Sequence, residues 1–306
     1  MRAIRPAHRL RTIRMLRGPA AALAFTALLT ACGTSEPVPF AGESPAATAP
    51  TPSSGVPAAS AGPAGSTPRP GEPAQPGAVS PTAAPATDGG DPGHNAAAYL
   101  RGDVPKLVVE VDAVKGRGPR PGTLDLVRTR LAALADKPGG IRFLPVQSIP
   151  AHGGAWSLAD LHAAEKRYRN THNAPDTASL YLLFVDGAAP KQGAIGLAYT
   201  ASSAAIFSDQ IADAATLLVG ATAIEHADTV HEVGHLLSLV NLGYTSPRPH
   251  EDAQHPNHSD NPDSVMYWAV DNVGVATLLG GRTEPPTEFD ADDVADLRAV
   301  RSGELP

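Results

Sequence analysis

Residues 96–306 predict an α/β domain built on a mostly parallel β-sheet. Strongly apolar runs of strand length alternate with stretches whose apolar residues have helical spacing. A strand–helix–strand order of this kind is typical of parallel strands joined by crossover helices. This part of the chain contains no cysteine, so we expect it to depend on an apolar core and not on disulfides.

The predicted elements follow one another along residues 96–306. Of two short strands near the middle, "AIGLAY" and "SAAIF", we expect the second to lie at an edge of the sheet or to run antiparallel. The complete order is a buried strand "KLVVEVDAV", a helix "TLDLVRTRLAALAD" capped by Thr123, a strand "IRFLPV", a helix "SLADLHAAEKRYRN" capped by Ser157, a strand "SLYLLFVDG", the two short strands, a helix that contains His231, a long polar loop and a last helix around "DADDVADLRAV".

The start of the chain, residues 1–31, is predicted to be a signal peptide. Six arginines precede the apolar run "AAALAFTALLTA", which is too short to cross a bilayer as a stable helix. The run ends in "LTAC", which resembles the bacterial lipobox, and this resemblance implies cleavage before Cys32 and acylation of that residue. Acyl chains anchor a protein because each CH₂ buried in the bilayer contributes about 0.8 kcal/mol to the free energy of membrane binding. We therefore expect an extracytoplasmic protein attached to the bacterial cell membrane through a lipid on Cys32.

Residues 32–95 are predicted to be the lipidated cysteine followed by a disordered tether. Proline, alanine, serine, glycine and threonine dominate this stretch, which cannot bury enough apolar surface to offset the entropy of ordering. The formal charge of −7 includes the six arginines of the predicted signal, so the mature chain carries about −13 (−7 minus 6). Nucleic acid and anionic lipid surfaces are poor partners for such a charge. We expect a monomer that acts on a peptide or protein.

The predicted helix around residue 231 carries the sequence "HEVGH". His231 and His235 project side by side, since positions i and i+4 of a helix differ by about 40° in heading, and they can share one metal ion. Glu232 can reach a metal-bound water without ligating the metal. Two solvated histidines are the alternative interpretation. The apolar neighbours of the motif disfavour this interpretation, because they indicate a helix packed in the core. Imidazoles without a partner are not expected in such a helix.

This motif resembles that of the zincin metallopeptidases, whose metzincin branch extends it to H-E-x-x-H-x-x-G-x-x-H. The chain departs from the extended pattern at Ser238, which replaces the glycine, and at Asn241, which replaces the last histidine. If the helix continues through Leu242, Asn241 points about 80° from His231, on the far side from His235. Its amide is also a weak zinc ligand compared with imidazole. We do not expect Asn241 to be the third ligand.

A later segment, "HSDNPDSVMYW" at residues 258–268, resembles the archaemetzincin segment H-C-x4-C-x-M. Ser259 and Ser264 stand at the two cysteine positions, so the second, Cys-rich zinc site of that family is absent. Met266 falls on the methionine of the Met-turn, which the resemblance implies to be an apolar floor beneath the metal. The close resemblance covers about 40 residues. The resemblance implies a zincin-like fold with an active-site helix, a long loop containing the Met-turn and a C-terminal helix.

The third metal ligand is predicted to be His258, because it precedes Met266 by eight residues. His250, in "PHED", is the alternative, since a loop of this length can return to almost any point. The remaining candidates are Asp252, His255 and Asn241.

Three protein ligands leave one position of a tetrahedral zinc ion for water, as in catalytic zinc sites. The hypothesis is therefore one catalytic Zn²⁺, with Glu232 as the general base that takes the proton of the water attacking a peptide bond. Tyr267 is predicted either to assist the oxyanion or to pack in the core. Asp228 is predicted to cap the helix or to contact the site from behind.

The leading prediction is a lipid-anchored, zinc-dependent endopeptidase of metzincin type. The alternative is a non-catalytic surface lipoprotein that binds zinc or a partner on a degenerate zincin fold. The residues at 238 and 241 keep this alternative open, whereas Glu232 argues against it because a binding site needs no acid there. A third interpretation, a metal-dependent amidase or other hydrolase of cell-wall material, shares the site and differs in substrate.

Overall fold

A computed structural model describes residues 83–278 and 282–306. The predicted signal peptide, Cys32 and the predicted tether up to residue 82 lie outside the described residues, so what the sequence predicts for them stays a prediction. Within the described ranges, no helix combines the length and the apolar character needed to cross a membrane.

A six-stranded sheet forms the centre of the described part. Its strands are β1 (Lys106–Val114), β2 (Ile141–Phe143), β3 (Gln147–Ile149), β4 (Thr177–Val185), β5 (Gly196–Ala198) and β6 (Ser203–Phe207). β1 pairs in parallel with β2, β3 and β4, and β4 pairs in parallel with β6. β5 pairs antiparallel with β6 at one edge. The prediction of a mostly parallel sheet with one antiparallel edge strand is confirmed.

Two details of the strand prediction were wrong. "SAAIF" became β6, which lies buried between β4 and β5, and "AIGLAY" supplied the edge strand instead. The small alanine and serine side chains of β6 suit an interior strand covered on both faces. The predicted strand "IRFLPV" stops at Phe143, because Pro145 has no N–H to donate to a ladder, and pairing with β1 resumes in β3.

Helices cover both faces of the sheet. Those predicted around residues 124–134, 158–168, 231 and 292–300 are present, whereas three helices of seven residues or fewer were not predicted, because they are too short to show a period. The helices are α1 (Ala96–Leu100), α2 (Thr123–Leu134), α3 (Leu158–Tyr168), α4 (Ser208–Ala214), α5 (Ala221–Leu236), α6 (Val275–Leu278) and α7 (Ala291–Ser302).

Of the two predicted helix caps, one is present and the other is not. Ser157 caps α3 as predicted, and its hydroxyl accepts from the Asp160 N–H in a capping box. Thr123 does not cap α2. The N-cap position is Gly122, and the Thr123 hydroxyl donates instead to Glu225 of α5 at 2.8 Å.

The sheet separates two apolar cores. Along β4, Leu180 and Leu182 face the larger core, to which α2, α5 and α7 contribute, while Tyr181 and Leu183 face the smaller core under α3. Strands covered on both faces read as continuous apolar runs, which is why β1 and β4 were recognisable in the sequence. The larger core is the one against which the "HEVGH" helix packs.

Residues 83–95, which the sequence assigned to the tether, contact the domain. The Asp88 carboxylate accepts from the Asn173 backbone N–H at 3.0 Å and lies 3.4 Å from the Arg169 guanidinium. The Asn95 side chain donates to the Ala201 carbonyl at 3.2 Å. The packed part of the chain therefore begins earlier than residue 96.

A buried carboxyl in β1 leads to a prediction about stability. Asp112 accepts a hydrogen bond from the Tyr181 hydroxyl at 2.8 Å, but its other oxygen has no partner among the described residues. Burial raises the pKa of Asp112 to about 6 from 3.8. A raised folded-state pKa means that the associated stability is present below pH 4 and is lost as pH rises through 6.

Asp112→Asn is therefore expected to become more stable relative to the wild type as pH rises. The difference in free energy of unfolding should shift by about 2 kcal/mol between pH 4 and pH 7, since the two pKa values differ by about two units and part of the change occurs below pH 4. Urea unfolding of both proteins at four pH values measures this shift. A difference that does not change with pH would contradict the assignment.

Candidate metal centre

Helix α5 supplies the first two histidines of the centre. His231 and His235 lie on its inner face with their Nε2 atoms 3.0 Å apart. Gly234 lies between them and packs directly on Met266, because a Cβ built at Gly234 would lie 2.3 Å from the methionine sulfur. Met266 is fully buried and packs against α5 at Gly234, and its role as the floor of a Met-turn stays a prediction.

The helix ends earlier than the sequence analysis assumed. It stops at Leu236, and Ser238 and Asn241 then adopt left-handed backbone angles, with φ of 76° and 58°. The Asn241 side chain is engaged elsewhere: it donates to Glu251 at 2.8 Å and accepts from the Ser246 N–H at 2.7 Å. Asn241 holds the loop and is not part of the centre.

His258 is the third histidine at this point. Its ring centroid lies 5.2 Å from that of His231 and 5.1 Å from that of His235. One nitrogen from each of the three rings lies within 4.8 Å of the others. The structure therefore brings together the three residues that the sequence analysis favoured as ligands.

The three rings are oriented in the same way. Each Nδ1 faces a backbone carbonyl at 2.7–3.0 Å, and since a carbonyl can only accept, Nδ1 carries the hydrogen. In a neutral ring the lone pair then lies on Nε2. Contacts of this kind fix the tautomer of histidines that bind metals. The acceptors for His231, His235 and His258 are the carbonyls of Val265, Leu239 and Pro256, respectively.

This arrangement fits a zinc ion. The Nε2 lone pairs of His231 and His235 face each other, which is unfavourable unless a cation lies between them. The Nε2 of His258 is buried and has no hydrogen-bond partner in the described part of the chain. Tetrahedral zinc, bound at about 2.0–2.1 Å, separates two ligand nitrogens by roughly 3.3 Å, close to the 3.0 Å observed here.

The electrostatic environment keeps the rings neutral. Burial lowers the pKa of His231 to about 3, and burial together with the two neighbouring imidazoles lowers the pKa of His235 well below its usual value. Burial also lowers the pKa of His258. Neutral imidazoles are the form that binds metal, so these rings need not release a proton when an ion binds.

Glu232 lies beside the three histidines and is almost fully buried. One oxygen, Oε2, accepts from the Ala198 N–H of β5 at 2.5 Å, whereas Oε1 has no hydrogen-bond partner among the described residues. Burial raises the pKa of Glu232 well above its usual value, and the nearby Asp271 carboxylate adds to the effect. The carboxyl group therefore has one oxygen held by a backbone N–H and one oxygen without a partner in the described ranges.

Asp228 lies one turn before Glu232 on α5. Since α5 begins at Ala221, Asp228 is inside the helix and is not the cap that was one of its two predicted roles. It is fully buried, and neither carboxyl oxygen has a described partner. Burial, reinforced by the Glu232 carboxyl, raises its pKa well above the usual value, so we expect Asp228 to hold a proton.

A cleft of about 150 Å³ opens at the centre. Two of its charged residues, Lys191 and Asp271, were not predicted, and they lie 3.7 Å apart. Only the fold brings them to the site, because Lys191 comes 40 residues before His231 and neither residue belongs to a motif. The lining consists of Pro92, Lys191, Leu197, Ala198, Glu232, His235, Leu242, Asn257, His258 and Asp271.

The other histidines of the loop lie elsewhere. His255 stacks on Trp268 with ring centroids 4.1 Å apart, and it also contacts the Asp252 carboxylate at 2.9 Å. His250 is buried against helix α7, 3.2 Å from Asp296. These contacts keep the alternative ligand His250, together with Asp252 and His255, apart from the group formed by the three histidines.

Tyr267 is half-buried at the edge of the larger core. It packs against the larger core, with its ring centroid 5.7 Å from that of Trp268, and it is not among the residues that line the cleft. Of its two predicted roles, core packing is the one that the contacts support.

No protein-family model matches the chain, and no curated protein matches it. The chain is similar in structure to archaemetzincin from Methanopyrus kandleri, with a TM-score of 0.43 and 14% sequence identity. The alignment covers 66% of this chain and 96% of that one.

Proposed function

We propose that the chain is a zinc-dependent endopeptidase. In this proposal His231, His235 and His258 hold one catalytic zinc ion, and Glu232 is the general base. The observation that carries it is the convergence of three Nε2 lone pairs beside a buried carboxyl group with one unpartnered oxygen. Three protein ligands leave a position open, which distinguishes catalytic from structural zinc sites.

The residues around the ion have separate tasks. When bound, zinc supplies a Lewis acid that polarises a carbonyl group and lowers the pKa of a coordinated water to about 7. The Ala198 N–H fixes Oε2 of Glu232, which leaves Oε1 to accept a proton from the attacking water and to return it to the leaving amine. Met266 excludes water from beneath the ligand helix.

The edge strand supports a peptide as the substrate. β5 pairs with β6 on one side, and on the other side no strand pairs with it within the described part of the chain, although the Ala198 N–H there is already donated to Glu232. Leu197 and Ala198 of β5 line the cleft beside Glu232. An extended peptide can add to such an edge through backbone hydrogen bonds. This would place its scissile bond next to the three histidines.

The proposed location rests on the sequence of the first 32 residues. A signal peptide followed by a lipidated Cys32 would hold the enzyme outside the cytoplasm on the bacterial cell membrane. The residues between Cys32 and the first described contacts would serve as its tether.

The proposal is tested with the purified full chain. We expect it to bind zinc, to cleave members of a mixed peptide library, to lose cleavage when treated with 1,10-phenanthroline and to regain it when zinc is added. The non-chelating isomer 1,7-phenanthroline is the matched control and should have no effect.

Three outcomes would contradict the proposal. Zinc binding at the three histidines without cleavage of any peptide would favour the non-catalytic binding protein, and cleavage of cell-wall amides alone would favour the amidase. Peptide cleavage that resists chelation would show that the histidines do not serve the reaction.

A further inference from the structure

A second group of metal-ligating residues lies where the polar loop meets the start of α7. His250, Asp290 and Asp293 each offer one ligand atom, and these atoms lie within 4.8 Å of one another. We call these three residues the loop–α7 cluster. None of them belongs to the centre formed by His231, His235 and His258.

We propose that the loop–α7 cluster binds a second divalent cation, best matched by zinc, which fixes the loop that carries His258. The binding of this ion stands on its own observations. Only its expected effect on His258 rests on the proposed function.

The first observation is the orientation of His250. The ring is 3% exposed, and its Nε2 lies 3.2 Å from the Asp296 carboxylate, to which it donates. Nδ1 then carries the lone pair of a neutral ring, and it has no hydrogen-bond partner among the described residues. A carboxylate behind one ring nitrogen and an ion in front of the other is a common arrangement for histidine ligands.

The second observation is the atom that Nδ1 faces. Oδ1 of Asp293 is buried, has no hydrogen-bond partner in the described ranges and lies 3.6 Å from Nδ1 of His250. This distance is too long for a hydrogen bond. Two ligand atoms bound at about 2.1 Å to one tetrahedral ion lie roughly 3.4 Å apart. An ion between the two atoms would satisfy both of them.

The carboxylates of the cluster are already held in place. Asp293 accepts through Oδ2 from the Ser264 hydroxyl at 2.5 Å and from the Asp290 N–H at 3.1 Å. Asp290 accepts through Oδ2 from the Asn261 amide at 2.9 Å, while its Oδ1 caps α7. These contacts would hold the carboxylate oxygens in position for an ion.

Charge balance also favours a divalent cation. Asp290, Asp293 and Asp296 bring three carboxylates together, and Asp293 and Asp296 are fully buried. Arg248 pairs with Asp296 at 2.6 Å and supplies one positive charge. Two negative charges remain, and an ion of charge +2 balances them. An imidazole among the ligands favours zinc over calcium or magnesium, which take oxygen ligands.

The loop connects the two sites. The Asp260 N–H donates to the His250 carbonyl at 2.9 Å, and the Asp252 N–H donates to the His258 carbonyl at 2.8 Å. His250 and His258 therefore lie on adjacent, mutually bonded parts of one loop that contains no disulfide. An ion that ties His250 to α7 would restrict the position of the His258 ring.

The test is the zinc content of the full chain after dialysis, measured by inductively coupled plasma mass spectrometry. We expect two ions per wild-type chain and one in the double variant His231→Gln/His235→Gln. His250→Gln and Asp293→Asn should each lose the second ion and should also bind the first at least tenfold more weakly. His255→Gln, on the same loop, is the matched control and should keep both ions.

A thermal measurement separates loss of binding from loss of folding. Zinc should raise the melting temperature of His231→Gln/His235→Gln, and adding Asp293→Asn to that variant should abolish the rise. One ion in the wild type and none in His231→Gln/His235→Gln would overturn the proposal, as would two ions in His250→Gln or a zinc-dependent rise that survives Asp293→Asn. One ion in His231→Gln/His235→Gln, combined with a wild type that cleaves no peptide, would support the second site while contradicting the proposed function.

Discussion

Glu232→Gln is expected to lower the rate of peptide cleavage by about 10²- to 10⁴-fold and to leave the zinc content unchanged. Glutamine has the same shape, and its carbonyl oxygen can still accept from the Ala198 N–H, as Oε2 does now. The amide nitrogen cannot take up a proton at the position of Oε1. None of the three Nε2 atoms is altered. The loss should therefore affect turnover and not metal binding.

The measurement is kcat/KM on a peptide that the wild type cleaves, together with zinc per chain. Glu288→Gln is a suitable control, because that carboxylate lies on the surface and pairs only with Arg130 among the residues described. Retained activity in Glu232→Gln would show that another group is the general base. Asp271 would be the first to examine, since it lies with His231 and Glu232 within 4.8 Å. Loss of zinc would instead show that Glu232 supports the ligands.

The part of the site that could be predicted is the part that is local in sequence. His231, Glu232 and His235 lie on one helical turn, so their spacing is sufficient to place them together. His258 was favoured from the resemblance of its segment and its offset from Met266. Neither observation predicts how the intervening loop folds, so the sequence could not exclude His250. The structure places His250 against α7.

Contacts between distant elements were not predictable. Ala198, Lys191 and Asp271 reach the cleft only because β5 lies at the sheet edge beside α5, and the sequence analysis had placed a different strand at that edge. The loop–α7 cluster joins His250 to two residues that lie 40 or more positions further along the chain. The early end of α5 was missed for another reason: the residue that takes up the left-handed conformation after it is Ser238, and not the glycine that usually signals a helix end.

Gly196→Ala is the second change for which we expect a large effect. A Cβ built at this position of β5 would lie 2.5 Å from Oδ1 of Asp228 and 2.6 Å from Oε1 of Glu232. Such distances are not tolerated, and both neighbours are fixed on a buried helix. Either the Glu232 carboxyl turns away, or β5 moves and its Ala198 N–H separates from Oε2. We expect a loss of activity of about 10²-fold, as a misplaced catalytic group produces.

The zinc content of Gly196→Ala should remain that of the wild type, because the three atoms nearest to the added methyl group belong to Asp228 and Glu232 and not to an imidazole. Gly118→Ala is the matched control: its Cβ would meet only the Ala113 Cβ, at 3.9 Å, and activity should be unchanged. Full activity in Gly196→Ala would mean that β5 does not fix the base. A parallel loss of zinc would mean that the edge strand supports the ligand helix as a whole. A loss of kcat with zinc content and KM retained is the result that a base positioned by β5 explains, whereas a rise in KM alone would point to weaker peptide binding at this edge.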